Sequence, residues 1–207
     1  MKGSISLFAV VLLLITVNGF AGAPSAGTVL AEMKYPVPGA SETLVIKKIK
    51  VGEDVTLVAI NSKDQTVWTS TALGIEEKQF RLDGKPQTLA LVDLDKDGVP
   101  EVLTSAFYGP KASGLYTFKF GPTMGFIPIP VRFPKVEDLQ QWLISDLQQS
   151  EGTDMEVTSD GKATILGMIY SATGEEDPAP GKYTFALEKG EWLSKAIEKL
   201  PAPPPEK

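Results

Sequence analysis

The chain contains no cysteine and no histidine. Without cysteine, no disulfide can staple the fold and no thiolate can act as a nucleophile. Without histidine, Ser-His-Asp and Cys-His catalysis are excluded, the usual zinc ligand sets are lost, and the commonest general base is missing. A basic excess is also absent: 20 Lys and Arg stand against 26 Asp and Glu, a formal net charge of −6. This argues against nucleic acid, which needs a basic face to displace counterions. Asn61-Ser62-Lys63 lacks a hydroxyl at its third place, so it is no N-glycosylation acceptor. The remaining chemistry belongs to carboxylates. Glu76-Glu77 and Glu175-Glu176-Asp177 are paired acids, but Gly or Pro flanks both segments, and a solvated loop is the ordinary form of such pairs. A glycosidase needs two acids facing each other across a cleft. No catalytic residue is assigned, and the chain is expected not to be an enzyme.

One long apolar run is present, at the start. Lys2 supplies a positive charge, residues 7–17 are apolar except for Thr16, and Ala21-Gly22-Ala23 offers small residues to a signal peptidase. The run is short for a bilayer span, which needs about 20 apolar residues. Residues 1–23 therefore read as a signal peptide, with cleavage after Ala21 or Ala26 as alternatives because Pro24 follows Ala23. A secreted or periplasmic location follows, and the lack of cysteine and of a glycosylation acceptor fits a bacterial origin. Removing Lys2 takes the charge to −7, and no other stretch is apolar enough to cross a membrane.

Beyond the signal, the pattern is that of strands. Short β-branched and aromatic runs at 43–49, 55–60, 65–70, 78–82, 88–92, 102–106, 115–120, 155–159, 163–170 and 182–187 are bounded by Gly, Asp, Asn and Ser. Pro128 and Pro130 restrict 126–132 to an edge strand or an extended linker. Val136, Leu139, Leu143 and Leu147 recur at helical spacing and predict an inserted helix at about 135–149; a short helix is expected at 192–200. Pro201 and the three prolines at 203–205 make 201–207 an extended tail. Three segments, 52–68, 96–118 and 159–185, share a plan of turn, apolar strand, polar turn and aromatic-bearing strand, a weak repeat. The expected fold is mainly β, one domain over 28–200, built of propeller-like blades or packed antiparallel sheets. Lys47-Lys48-Ile49-Lys50 reads as a solvated strand face or guarded edge. Trp68, Tyr116, Phe118, Tyr183 and Phe185 read as core rather than as platforms for sugar rings.

The most informative stretch is Asp93-Leu94-Asp95-Lys96-Asp97-Gly98-Val99-Pro100-Glu101. Alternating carboxylates in one short loop aim oxygens at one point, Glu101 closes the run, and the Val99 carbonyl fills the gap. An all-oxygen set suits a hard cation, and calcium tolerates irregular geometry better than magnesium. Gly98 permits the sharp turn. An EF-hand fits only in part: its twelfth position would be Thr104, and the flanks read as strands.

With Ser105-Ala106-Phe107-Tyr108-Gly109 and Gly114-Leu115-Tyr116-Thr117-Phe118, the loop resembles an FG-GAP (integrin-like, VCBS-type) repeat over about residues 88–120. The resemblance implies a calcium loop between strands of a propeller-like blade, with Asp93, Asp95, Asp97, Glu101 and the backbone of Val99 as ligands. It implies architecture and ion binding more than an activity. The resulting expectation is an exported calcium-binding β-repeat protein that engages a protein or glycan. The alternatives are a carbohydrate-active hydrolase using loop carboxylates and an accessory subunit of a cell-envelope complex.

Overall fold

Period-two runs need partners for both backbone edges and cover for one face. The computed structural model, which describes residues 27–121, 125–133, 139–147, 153–170 and 177–201, supplies both with three sheets of four, six and seven strands. The first is an antiparallel meander of β1 (Thr28–Pro36), β2 (Thr43–Val51), β3 (Asp54–Ile60) and β4 (Thr66–Thr69). The chain then passes through β5 (Glu76–Lys78), β6 (Phe80–Leu82) and β7 (Lys85–Gln87) into a second meander. This comprises β8 (Leu89–Val92), β9 (Glu101–Phe107), β10 (Ser113–Phe120) and β11 (Phe126–Pro128). After β12 (Val131–Arg132) and β13 (Leu143–Ser145), the third meander is β14 (Met155–Thr158), β15 (Lys162–Ile169), β16 (Ala179–Glu188) and β17 (Glu191–Lys199). The extra strands tie the sheets together. One side of β9 is shared by β8 and β5, β13 adds to β10, and β6 and β12 join the third sheet in parallel.

The second sheet lies between two cores. Val102, Ala106, Tyr116 and Phe118 face one built with Tyr35, Leu44, Ile46, Val55 and Leu57 of the first sheet. Leu103 and Leu115 face the other, with Val157, Ile165, Phe185 and Trp192 of the third. This is why β9 and β10 are buried almost throughout, with no polar face. The chain crosses between the first two sheets at Gly74, whose carbonyl accepts the Val55 N–H at 2.7 Å while the Ile75 N–H donates to the Phe107 carbonyl at 2.6 Å. A Cβ on Gly74 would come within 2.2 Å of the Phe107 oxygen, so only glycine passes here.

The architecture is mainly β, but the three sheets do not close into a propeller. Each segment of the weak repeat folds as an antiparallel hairpin, one per sheet: β3–β4, β9–β10 and β15–β16. The proline-interrupted segment leaves its two short strands at edges, β11 on the second sheet and β12 on the third. Both expected helices are corrected where the chain is described. Residues 191–199 form β17, because Lys189 and Gly190 both take positive φ (53° and 77°) and fold the chain back on β16 as a two-residue hairpin. Within 139–147, Gln140 bridges Val131 and Leu143–Ser145 pairs with β10; Leu139 is exposed, so the leucines share no face. The rest of 135–149 lies partly outside the described residues, as do the signal peptide and all but Pro201 of the tail. The lysine-rich run is neither a free edge nor fully solvated: β2 lies inside its sheet and Lys48 is fully buried. Among the described residues no helix is long and apolar enough to cross a membrane.

Candidate metal centre

Val92 pairs with Glu101 as the last rung of the β8–β9 ladder, so residues 93–100 form the hairpin loop. The loop is organised by its own carboxylates. Asp93 Oδ2 accepts the Gly98 N–H at 3.1 Å, Asp95 Oδ1 the Asp97 N–H at 3.2 Å, and Asp97 Oδ1 the Val99 N–H at 2.8 Å. Glu101 Oε2 accepts the Leu94 N–H at 2.7 Å. Gly98 sits at φ 89°, the turn for which glycine was expected; Lys96 also adopts a positive φ, 63°. Two anchors hold the loop to the third sheet. Leu94 is buried in its core, and the Lys96 ammonium donates to the Ser159 carbonyl at 2.7 Å and to the Asp93 carbonyl at 2.8 Å.

Three acids converge. One oxygen each from Asp93, Asp95 and Glu101 lies within 4.8 Å of the other two. Two oxygens each about 2.4 Å from one calcium can be at most about 4.8 Å apart, so this spacing fits a shared ion. Asp97 is outside that group, its Oδ1 turned to the Val99 N–H. Val99 lies at the loop's half-buried end. Asp93 Oδ1 is buried without a hydrogen-bond partner, and so is the hydroxyl of Tyr35, a core residue of β1. Burial pushes the Glu101 carboxyl up to about 7; the Leu94 N–H opposes this, and Asp95 and Asp97 add to it. Burial, then Glu101 and Asp97, push the Tyr35 phenol up to about 12. The donor set therefore matches an oxygen-loving cation, with one buried acceptor spare and like charges crowded together.

The acids open onto a cleft of about 760 Å³ whose other wall carries Lys119 and Lys189. Among the described residues, the carboxylates lining it are Asp95 and Asp97 of the loop and Glu101 at the start of β9, so none of these faces the group from across the cleft. Of the other paired acids, Glu76 is exposed on β5 and Glu77 lies 2.7 Å from the Lys48 ammonium, while Glu175 and Glu176 lie outside the described residues. In the β14–β15 turn, Asp160 is engaged by Lys162 at 2.5 Å and by the Thr158 hydroxyl. Tyr35, Lys119 and Lys189 were not legible as neighbours of the loop, since only pairing of distant strands brings them there. No family model, curated protein or solved structure matches this chain.

Proposed function

We propose that this chain is an exported, non-enzymatic calcium-binding β protein that serves as an adhesion or interaction module, in the manner of FG-GAP repeats. The observation that carries this is the convergence of Asp93, Asp95 and Glu101 in the β8–β9 loop, with the buried Asp93 Oδ1 left unpartnered. Calcium there offsets crowded negative charge and joins both ends of the hairpin loop. Since Leu94 and Lys96 fasten the same loop to the third sheet, the ion's effect is architectural: it stiffens the seam between the second and third sheets. Ligand recognition is then left to the surfaces that the sheets present, toward a protein or glycan outside the cell membrane.

Thermal unfolding tests the ion. At about 100 times its Kd a bound ion adds about 2.7 kcal/mol, which for a chain of this size is roughly 5–10 °C in Tm. Millimolar calcium should raise Tm, magnesium should raise it less, and EDTA should reverse the rise. Superimposable melting curves in calcium and EDTA would sink the calcium reading.

A further inference from the structure

A second cleft, lined by β13 and its following residue Asp146, by β15 and by β16, has a different chemistry. It encloses about 530 Å³; the partly buried rings of Phe133 and Tyr183 wall it, with the buried Phe185 ring behind them and Tyr170 at its rim. Phe133 and Phe185 meet edge to face at 5.5 Å. One carboxylate enters this aromatic surround. Asp146 Oδ1 accepts the Met168 N–H at 2.6 Å, and Oδ2 accepts the Tyr170 hydroxyl at 2.7 Å. Gly167 leaves room for it: a Cβ there would sit 3.1 Å from Asp146 Oδ1 and 3.4 Å from the Tyr183 ring.

Both donors to Asp146 are neutral. Among the described residues no Lys or Arg forms an ion pair with it, and none lines the cleft. Its charge is felt by nearby phenols, since Asp146 contributes to raising the pKa of Tyr170 and Tyr183, which line the cleft, and of Tyr108. Calcium takes six to eight oxygens, and among the described residues this cleft offers one carboxylate. Aromatic faces and a carboxylate attract the same thing, a large and weakly hydrated positive charge.

We propose that the Phe133–Asp146–Tyr183 cleft binds a quaternary ammonium group, with the aromatic rings around its methyls and Asp146 as counter-ion. This goes beyond the calcium reading and shares no residue with it. The head group of a choline lipid and free choline carry the same chemistry, so both belong in the test.

The test is an amide NMR titration of the full chain with choline and with its neutral isostere, 3,3-dimethylbutanol. Choline should give saturable shifts at Gly167, Met168 and Tyr183, with the isostere at least about tenfold weaker. Asp146→Asn keeps the acceptor for Met168 while removing the charge, and should weaken choline about tenfold and leave the isostere unchanged. Co-sedimentation with phosphatidylcholine vesicles would assign the group to a lipid, and choline binding without co-sedimentation to a soluble cation. Equal affinity for choline and the isostere in the unmodified chain overturns the proposal whatever the variant does. So do shifts confined to other residues, or none that saturate.

Discussion

At the scale of single residues, the acidic loop was legible because its information is local. Alternation, the glycine at φ 89° and the closing glutamate all sit within nine positions. What could not be read was the division of labour among the acids. Asp97 resembles Asp95 in sequence, yet its Oδ1 is engaged by the Val99 N–H and it stays out of the convergent group. The two should therefore separate by mutation. Asp95→Asn should remove most of the calcium-dependent rise in Tm. Asp97→Asn, which keeps an oxygen for Val99, should retain at least half of it. The check is differential scanning calorimetry of both variants with calcium and with EDTA. Equal loss in the two would mean that Asp97 ligates directly once the ion is bound.

At the scale of elements, the strands with clean alternation were legible and the C-terminal strand was not. Residues 192–200 are rich in Lys, Glu, Ala and Leu, which favour helix locally, but pairing along β16 satisfies more backbone than an isolated short helix can. A similar conflict arises at β13, where Leu143 and Ser145 are buried and Ile144 is exposed, a period of two inside a stretch of leucines spaced for a helix. β1 was overlooked because most of it is exposed and a bulge between Val29 and Ala31 breaks its pattern.

The seam where β8 hands over to β5 along β9 shows how one element repairs another. There the Lys48 ammonium, from β2, donates to the carbonyls of Ser105 at 2.6 Å, Thr88 at 3.3 Å and Lys78 at 3.4 Å, and lies 2.7 Å from Glu77. The Lys78 and Thr88 carbonyls have a second donor each, the hydroxyls of Ser105 and Thr104. Removing the ammonium thus falls mainly on the Ser105 carbonyl and on Glu77, whose two carboxylate oxygens are both buried and lose this cation. Lys48→Met should cost about 3–5 kcal/mol in urea unfolding, the range for removing one partner of a buried ion pair. Lys47→Met, next in sequence but on the outer face with only a surface pair to Glu32 at 3.4 Å, should cost under about 0.5 kcal/mol. Indistinguishable midpoints for the two variants would remove Lys48 from the seam.

At the scale of the whole molecule, two cores sharing one central sheet bury Tyr35 and Tyr116, and this gives the fold a measurable alkaline signature. The chain has five tyrosines, and the phenol of every one is raised above its ordinary value. For Tyr35, Tyr108, Tyr116 and Tyr183 the leading cause is burial; for the exposed Tyr170 it is the hydrogen bond to Asp146. A phenol that folding keeps neutral contributes stability in full below its unfolded value near 10, and that stability is lost as pH climbs toward the folded values, about 12 for Tyr35. Lys48 works in the opposite sense: burial lowers it, so its penalty fades as pH approaches 10.5 from below, but it is one group against several. The balance predicts that stability falls from pH 10 upward. In an alkaline titration followed by phenolate absorbance and far-ultraviolet circular dichroism, the exposed Tyr108 and Tyr170 and the cleft-lining Tyr183 should ionise ahead of the loss of strand signal. The buried Tyr35 and Tyr116 should ionise with that loss, in one cooperative step. All five tyrosines titrating while the strand signal persists would mean that the first sheet does not close over the central one as described, because that cover keeps the Tyr35 and Tyr116 hydroxyls from water.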